Sequence, residues 1–208
     1  MDTLSFFFWE GLGHIGDITA YDHILFVLAL TAVYSLRQWR TVLWLVTAFT
    51  IGHSLALGLA VYDVVRISPP LIEWLIPVSI LLTCGLNIAK AGNKTIEDKS
   101  QNTAPLNWAW NKYILALAFG LIHGIGFSNY LRFMLTKEES LFQPLLGFNI
   151  GLEVGQLAIV AVALFANWLL VGRAGVALRD WILVVSAAIA GIALVLAIET
   201  GYGFWVGE

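Results

Sequence analysis

The stretch Phe148-Asn149-Ile150-Gly151-Leu152-Glu153-Val154-Gly155-Gln156 lies inside an apolar run from Gln143 to Val171. Such a run exceeds the roughly 20 mostly apolar residues that a helix needs to cross a bilayer, yet it carries a carboxylate and two amides. Asn149, Glu153 and Gln156 stand at i, i+4 and i+7 and share one helix face. Gly147, Gly151 and Gly155 form a second stripe, roughly 200° around the helix from the first. Small-residue stripes let membrane helices approach closely. The segment therefore reads as a membrane helix packed by its glycine face and presenting polar groups on the other.

The rest of the chain fits the same solvent. Of 208 residues, 59% are hydrophobic and only 12% charged, and the mean hydropathy is +0.82. A soluble domain has roughly 45–50% apolar and about 25% charged residues. That leaves too little charge to cover a water-soluble particle and excludes a soluble enzyme, a nucleic-acid binder and a disordered tail. The net charge of −3 offers no basic face for phosphates. The single cysteine, Cys84, excludes an intramolecular disulfide, a thiolate cluster and a CxxC redox pair.

The expected fold is an all-α integral membrane protein, one transmembrane domain over residues 1–208. Six spans are predicted: Ile18–Leu36, Thr41–Tyr62, Pro70–Ala89, Trp110–Leu131, Gln143–Val171 and Trp181–Thr200. Before the first, the aromatic segment Leu4–His14 is too short to cross and carries Gly11 and Gly13, with Gly16 just after it. It reads as an interfacial or re-entrant piece and lacks the marks of a signal peptide. Lys90–Asn107 has the composition of a solvated loop. No internal repeat stands out.

Basic residues give the orientation. One set of connections carries Arg37, Arg40, Lys90, Lys94, Lys99, Lys112, Arg173 and Arg179; the other carries only Arg66, Arg132 and Lys137. Eight against three places both termini outside, which is the periplasm if the chain sits in a bacterial inner membrane.

Ionisable groups within spans are costly and face a cavity or a partner. All four histidines, His14, His23, His53 and His123, lie in or beside apolar spans, with Asp22, Glu73 and Glu153. His53 is nine residues from the outer end of its span, His123 eight and Glu153 ten. At about 1.5 Å per residue these sit roughly 12–15 Å below the outer boundary. Asp22 and His23 lie about one turn shallower, and Glu73 is near the outer interface. His14 and His23 are nine residues apart, so one straight helix would point them oppositely; convergence requires a break, for which Gly16, Asp17 and Thr19 are suited.

Imidazoles with a carboxylate at one depth suit a divalent transition-metal ion, nickel or zinc among them. His23, His53, His123 and Glu153 are the core candidates, with His14 and Asp22 as ligands or as orienting partners. Asn149, Gln156 and Ser54 read as orienting hydrogen-bond groups, and Glu73 as an entrance gate or an interfacial residue. Cys84 and most of the aromatics read as packing or interface belt.

Four blocks of the sequence carry a resemblance. Gly13-His14-Ile15 followed by Asp22-His23-Ile24-Leu25-Phe26 resembles the opening signature of the HupE/UreJ family of bacterial membrane proteins. Phe49-Thr50-Ile51-Gly52-His53-Ser54, Phe119–Phe127 and Phe148–Gln156 continue it in order. The resemblance implies a six-span inner-membrane protein tied to hydrogenase and urease accessory functions, with a proposed nickel-permease role. It implies the family's metal motifs at His14, Asp22, His23 and His123, and partners in metallochaperone or metalloenzyme maturation machinery. The seven residues between His14 and Asp22 differ from the HxxxxDH spacing of nickel–cobalt permeases.

Two functions follow. One is a divalent-metal permease or uptake protein with a site open to the outer side. The alternative is an intramembrane zinc metalloenzyme that activates water for hydrolysis of a lipid or peptide bond, with Glu153 or Asp22 as base.

Overall fold

Helix α1 (Thr3–Gly16) begins where the Asp2 carboxylate accepts the Ser5 backbone N–H at 2.9 Å, capping one of the unpaired donors that open every helix. Six more helices follow: α2 (Asp22–Thr31), α3 (Trp39–Val61), α4 (Pro69–Gly92), α5 (Leu106–Leu135), α6 (Phe142–Asn167) and α7 (Leu178–Val206). The computed structural model describes residues 2–17, 21–92, 106–135 and 141–206, with side chains except at 106–110, 129–135 and 206. No strand occurs among the described residues. Pro69 and Pro70 open α4, where a missing N–H is harmless. Past its end α6 continues as a wider π turn, Trp168–Arg173.

Four stretches are long and apolar enough to cross a membrane: Leu36–Val61, Pro69–Gly92, Phe142–Arg173 and Leu178–Trp205. They cover the second, third, fifth and sixth expected spans. The fourth expected span falls on α5, which has 30 residues, with side chains described over 111–128. The loop expected at Lys90–Asn107 falls mainly on 93–105, outside the described residues.

The N-terminal region differs most from expectation. Over the predicted span Ile18–Leu36 the helix is α2, only 10 residues, or about 15 Å and half a hydrocarbon core. The segment before it is one continuous helix of 14 residues, about 21 Å long. Its glycines do not interrupt it, and Gly11 lies directly against the α6 backbone.

Glycines dictate that arrangement. Side chains at Gly147 and Gly151 would collide with the Leu4 and Phe8 carbonyls, and one at Gly155 with Ile15. Residue numbers rise together along both helices, so α1 runs parallel to α6. The same line continues through α2, where Val27 packs with Val160 and Leu164. In a second parallel pair, α3 and α5, Gly120 meets the Phe49 carbonyl and Gly124 the His53 carbonyl. By contrast α4 and α7 are antiparallel: Trp74 stacks on Phe204, and Asn87 reaches Ser186 at 3.4 Å. Between the pairs lies a core that includes Phe26, Phe49, Ile80, Cys84, Phe119 and Ala193. Cys84 is fully buried there. Trp44, Ile51 and Leu55 leave an apolar exposed face on α3, as lipid contact requires.

Candidate metal centre

The ends of α1 and α2 meet where α3 and α5 pass closest. His14 is two residues from the end of α1, and Asp22 and His23 open α2. The chain leaves the first helix at Asp17 in extended conformation and enters the second through Tyr21. This is the break that convergence of His14 and His23 demands, and their rings stand 4.7 Å apart. The His53 ring is 5.9 Å from that of His23, and the His123 ring 4.9 Å.

Two overlapping triads result. One nitrogen each of His14, His23 and His53 lie within 4.8 Å of one another, as do an Asp22 oxygen and one nitrogen each of His23 and His123. Donor atoms around a tetrahedral ion of about 2.0–2.1 Å bond length sit roughly 3.3 Å apart, so side-chain adjustments of about an ångström close either triad. His23 belongs to both.

Hydrogen bonds fix which nitrogen is available. The His23 Nδ1–H donates to Asp22 Oδ1 at 3.0 Å, leaving Nε2 bare. A carboxylate behind a ligating imidazole fixes its tautomer and raises its basicity. Ser79 does the same for His123 through a neutral oxygen. Its hydroxyl donates to the Ile76 carbonyl at 2.7 Å, so toward His123 Nε2, 3.2 Å away, it acts as acceptor. His123 then holds its proton on Nε2 and presents Nδ1. Five buried ring nitrogens have no hydrogen-bond partner: His14 Nε2, His23 Nε2, His123 Nδ1 and both of His53. An unsatisfied buried polar atom costs about 1–3 kcal/mol. A neutral imidazole has one lone pair, so the four rings offer one donor nitrogen each, and a bound cation would give those lone pairs a partner.

Aromatic rings wall the site. Phe127 lies 3.8 Å from His14, Phe148 stacks 6.1 Å from His53, and Phe49 meets His123 edge-on at 5.3 Å. The sequence reading left these rings to packing and gave Ser79 no role at the site. The available signal was position, since each phenylalanine falls inside a histidine- or glycine-bearing block and Ser79 sits deep in an apolar span.

The other candidates are placed apart. Glu153 belongs to neither triad; it accepts the Thr47 hydroxyl at 2.7 Å. Gln156 is fully buried and accepts from Thr50 at 2.9 Å. Asn149 and Ser54 bond to carbonyls of their own helices, Leu145 and Thr50. Glu73 is exposed. It shares with Tyr21, Asp22, Pro77 and Thr200 the wall of a cavity of about 290 Å³. Pro77 cannot donate, so the Glu73 carbonyl lacks its helical N–H. The cavity thus runs from an exposed carboxylate to the one behind His23.

Asp22→Asn keeps an acceptor for His23 but removes the charge, and is expected to weaken divalent-metal binding by about 10–100-fold, measured by calorimetry on purified protein. An unchanged affinity would remove Asp22 from the site.

No curated protein and no solved structure matches the chain. A family model described as HupE / UreJ protein matches residues 1–202, nearly the whole length and all four histidines. With 202 of 208 positions matched, the chain belongs to the HupE/UreJ family.

Proposed function

We propose that this protein is a divalent transition-metal permease of the nickel type. The observation that carries the reading is the set of four imidazoles with unpartnered ring nitrogens, joined through Asp22 to a cavity that reaches the exposed Glu73. The family is associated with nickel and cobalt handling, and the donor set of imidazoles with a carboxylate suits nickel or zinc. In this reading the ion enters past Glu73, exchanges its water for the donors of one triad, passes to the other through the shared His23, and is released on the other side. Asp22 and Ser79 orient His23 and His123.

The membrane arrangement proposed with it has six crossings, the first of them broken. Helices α1 and α2 lie in series along α6 and together supply about 36 Å of helix, enough for one passage. Discontinuous helices whose ends face an ion at mid-membrane are a recurrent device of transporters. With the basic residues inside, both termini lie in the periplasm of a bacterial inner membrane. Metallochaperones or metalloenzyme maturation factors are the expected recipients of the ion.

Hydrolysis fits the carboxylates less well. A general base must reach the water it activates, whereas Asp22 is bonded to His23 and Glu153 to Thr47.

The test is flux. Proteoliposomes are expected to take up Ni²⁺ saturably, with uptake lost in His53→Ala. Stoichiometric, tightly held Zn²⁺ with no flux would refute the permease.

A further inference from the structure

Two short patterns occur twice in the chain. Gly11-Leu12-Gly13-His14 in α1 matches Gly120-Leu121-Ile122-His123 in α5, and Phe49-Thr50-Ile51-Gly52 in α3 matches Phe148-Asn149-Ile150-Gly151 in α6. Matches this short carry little weight as sequence, and none stands out without coordinates. The contacts give them meaning.

A Cβ on Gly11 would strike the Phe148 carbonyl and lie 3.0 Å from Leu152 N; one on Gly120 would strike the Phe49 carbonyl and lie 3.0 Å from His53 N. On the facing helices, Gly151 meets the Phe8 carbonyl and lies 2.9 Å from Leu12 N, while Gly52 meets the Leu117 carbonyl and lies 3.1 Å from Leu121 N. Position by position, α1 takes the part of α5, and α6 that of α3. The rings follow: His14 stands 5.7 Å from Phe148 and His123 stands 5.3 Å from Phe49.

Direction completes the pattern. Leu57 of α3 packs with Phe148 and Leu152, and Val42 and Val46 pack with Val160 and Leu164. Thus α3 and α6 are antiparallel, and the two parallel pairs point in opposite senses. Helices α1, α3 and α4 recur upside down as α5, α6 and α7. The departure from symmetry is the break after α1, which turns Asp22 and His23 into the site, whereas α5 is unbroken.

Each parallel pair is joined backbone to backbone through glycine, the closest packing helices achieve. Between the pairs the contacts are made by side chains: aliphatic clusters, the Thr47–Glu153 and Thr50–Gln156 hydrogen bonds, and rings, among them His53, which is fully buried with neither nitrogen paired. Cavities lie toward the two ends of α4, one walled with α2 and α7, the other with α2, α3 and α5. The first is the cavity at Asp22 and Glu73. The other is a cavity of about 50 Å³ lined by Tyr34, Thr83, Asn87, Lys90 and Lys112. Buried Ser79, Thr83 and Asn87 stand at i, i+4 and i+8 on α4, leading from His123 to that second cavity. One large and one small cavity is the form an inverted repeat takes when its halves hold different conformations, and exchanging those conformations exchanges the cavities.

We infer that the chain is an inverted-topology repeat whose two glycine-joined pairs, α1–α6 and α3–α5, pivot about the imidazoles. The pivot opens the site alternately toward Glu73 and toward Thr83–Asn87. The inference rests on the permease reading for the identity of the cargo, but the motion is measurable by itself.

Spin-label distances in the full chain in nanodiscs, on a Cys84→Ala background, test it. Labels at Trp9→Cys and Val154→Cys report within one pair; Trp9→Cys and Ile51→Cys report between pairs. Diamagnetic Zn²⁺ is the probe, with binding followed by calorimetry on the same samples. The within-pair distance is expected to be single and unaffected by Zn²⁺. Between pairs, two distances at least about 5 Å apart are expected, with Zn²⁺ changing their ratio. A single between-pair distance that Zn²⁺ binding leaves unmoved overturns the pivot and spares the metal site. Two between-pair distances without any Zn²⁺ binding uphold the pivot and remove the metal site. One distance and no binding overturns both.

Discussion

His23→Ala is expected to abolish divalent-metal binding, raising the dissociation constant by more than about 100-fold. His23 is the only side chain shared by both triads. Its removal leaves His14 and His53 on one side, and Asp22 with His123 on the other, two donors short of any stable shell. His53→Ala and His123→Ala each disable a single triad, so each is expected to cost roughly 10–100-fold. The ranking separates a shared pivot from four equivalent ligands. Equal losses at His23, His53 and His123 in calorimetry would mean that all three bind the ion at once. Because ligation requires neutral imidazoles, binding weakens on acidification in every variant that retains it.

Gly120→Ala is expected to destabilise the protein by about 3 kcal/mol or more. The added methyl strikes the Phe49 carbonyl and lies 3.0 Å from His53 N. Backbone inside a helix has no rotamer with which to yield, so α3 and α5 must separate, and His53 and His123 with them. The matched position in the other pair, Gly11→Ala, is expected to cost a similar amount and displace His14. The control is Gly85→Ala in α4, where nothing lies within 4 Å of the added carbon. There alanine gains about 1 kcal/mol from helix propensity alone. Unfolding in mixed micelles reads all three; a harmless Gly120→Ala would mean that the close approach of α3 to α5 does not hold the site together.

Much of this was legible in one dimension. Depth follows from counting residues to the end of an apolar run at about 1.5 Å each, which is why His53 and His123 could be expected in one layer with His23 about a turn away. Helical spacing alone marked Gly147, Gly151 and Gly155 as a contact face, and the nine residues from His14 to His23 required a broken helix between them. Counting failed where the apolar run itself misled. Residues 18–36 look like one span because Ala32, Val33 and Leu36 extend the hydropathy, although the helix ends at Thr31. Glu153 shows the same limit. It fitted the layer by count, yet it bonds to Thr47, six residues or about 9 Å along α3 from His53.

The amino-acid sequence by itself determined the apolar solvent, the helical class and the glycine faces, because these depend on composition and on periods of 3.6 residues along the chain. Only the tertiary structure decided which glycine face meets which helix, that α1 lies along α6 as α5 lies along α3, and that Ser79 and Asp22 direct the ring nitrogens. Those are matters of lateral contact between segments more than a hundred residues apart for α1 and α6. A helix exposes the same glycine stripe whichever neighbour fills it, so the choice rests on how all the helices pack at once.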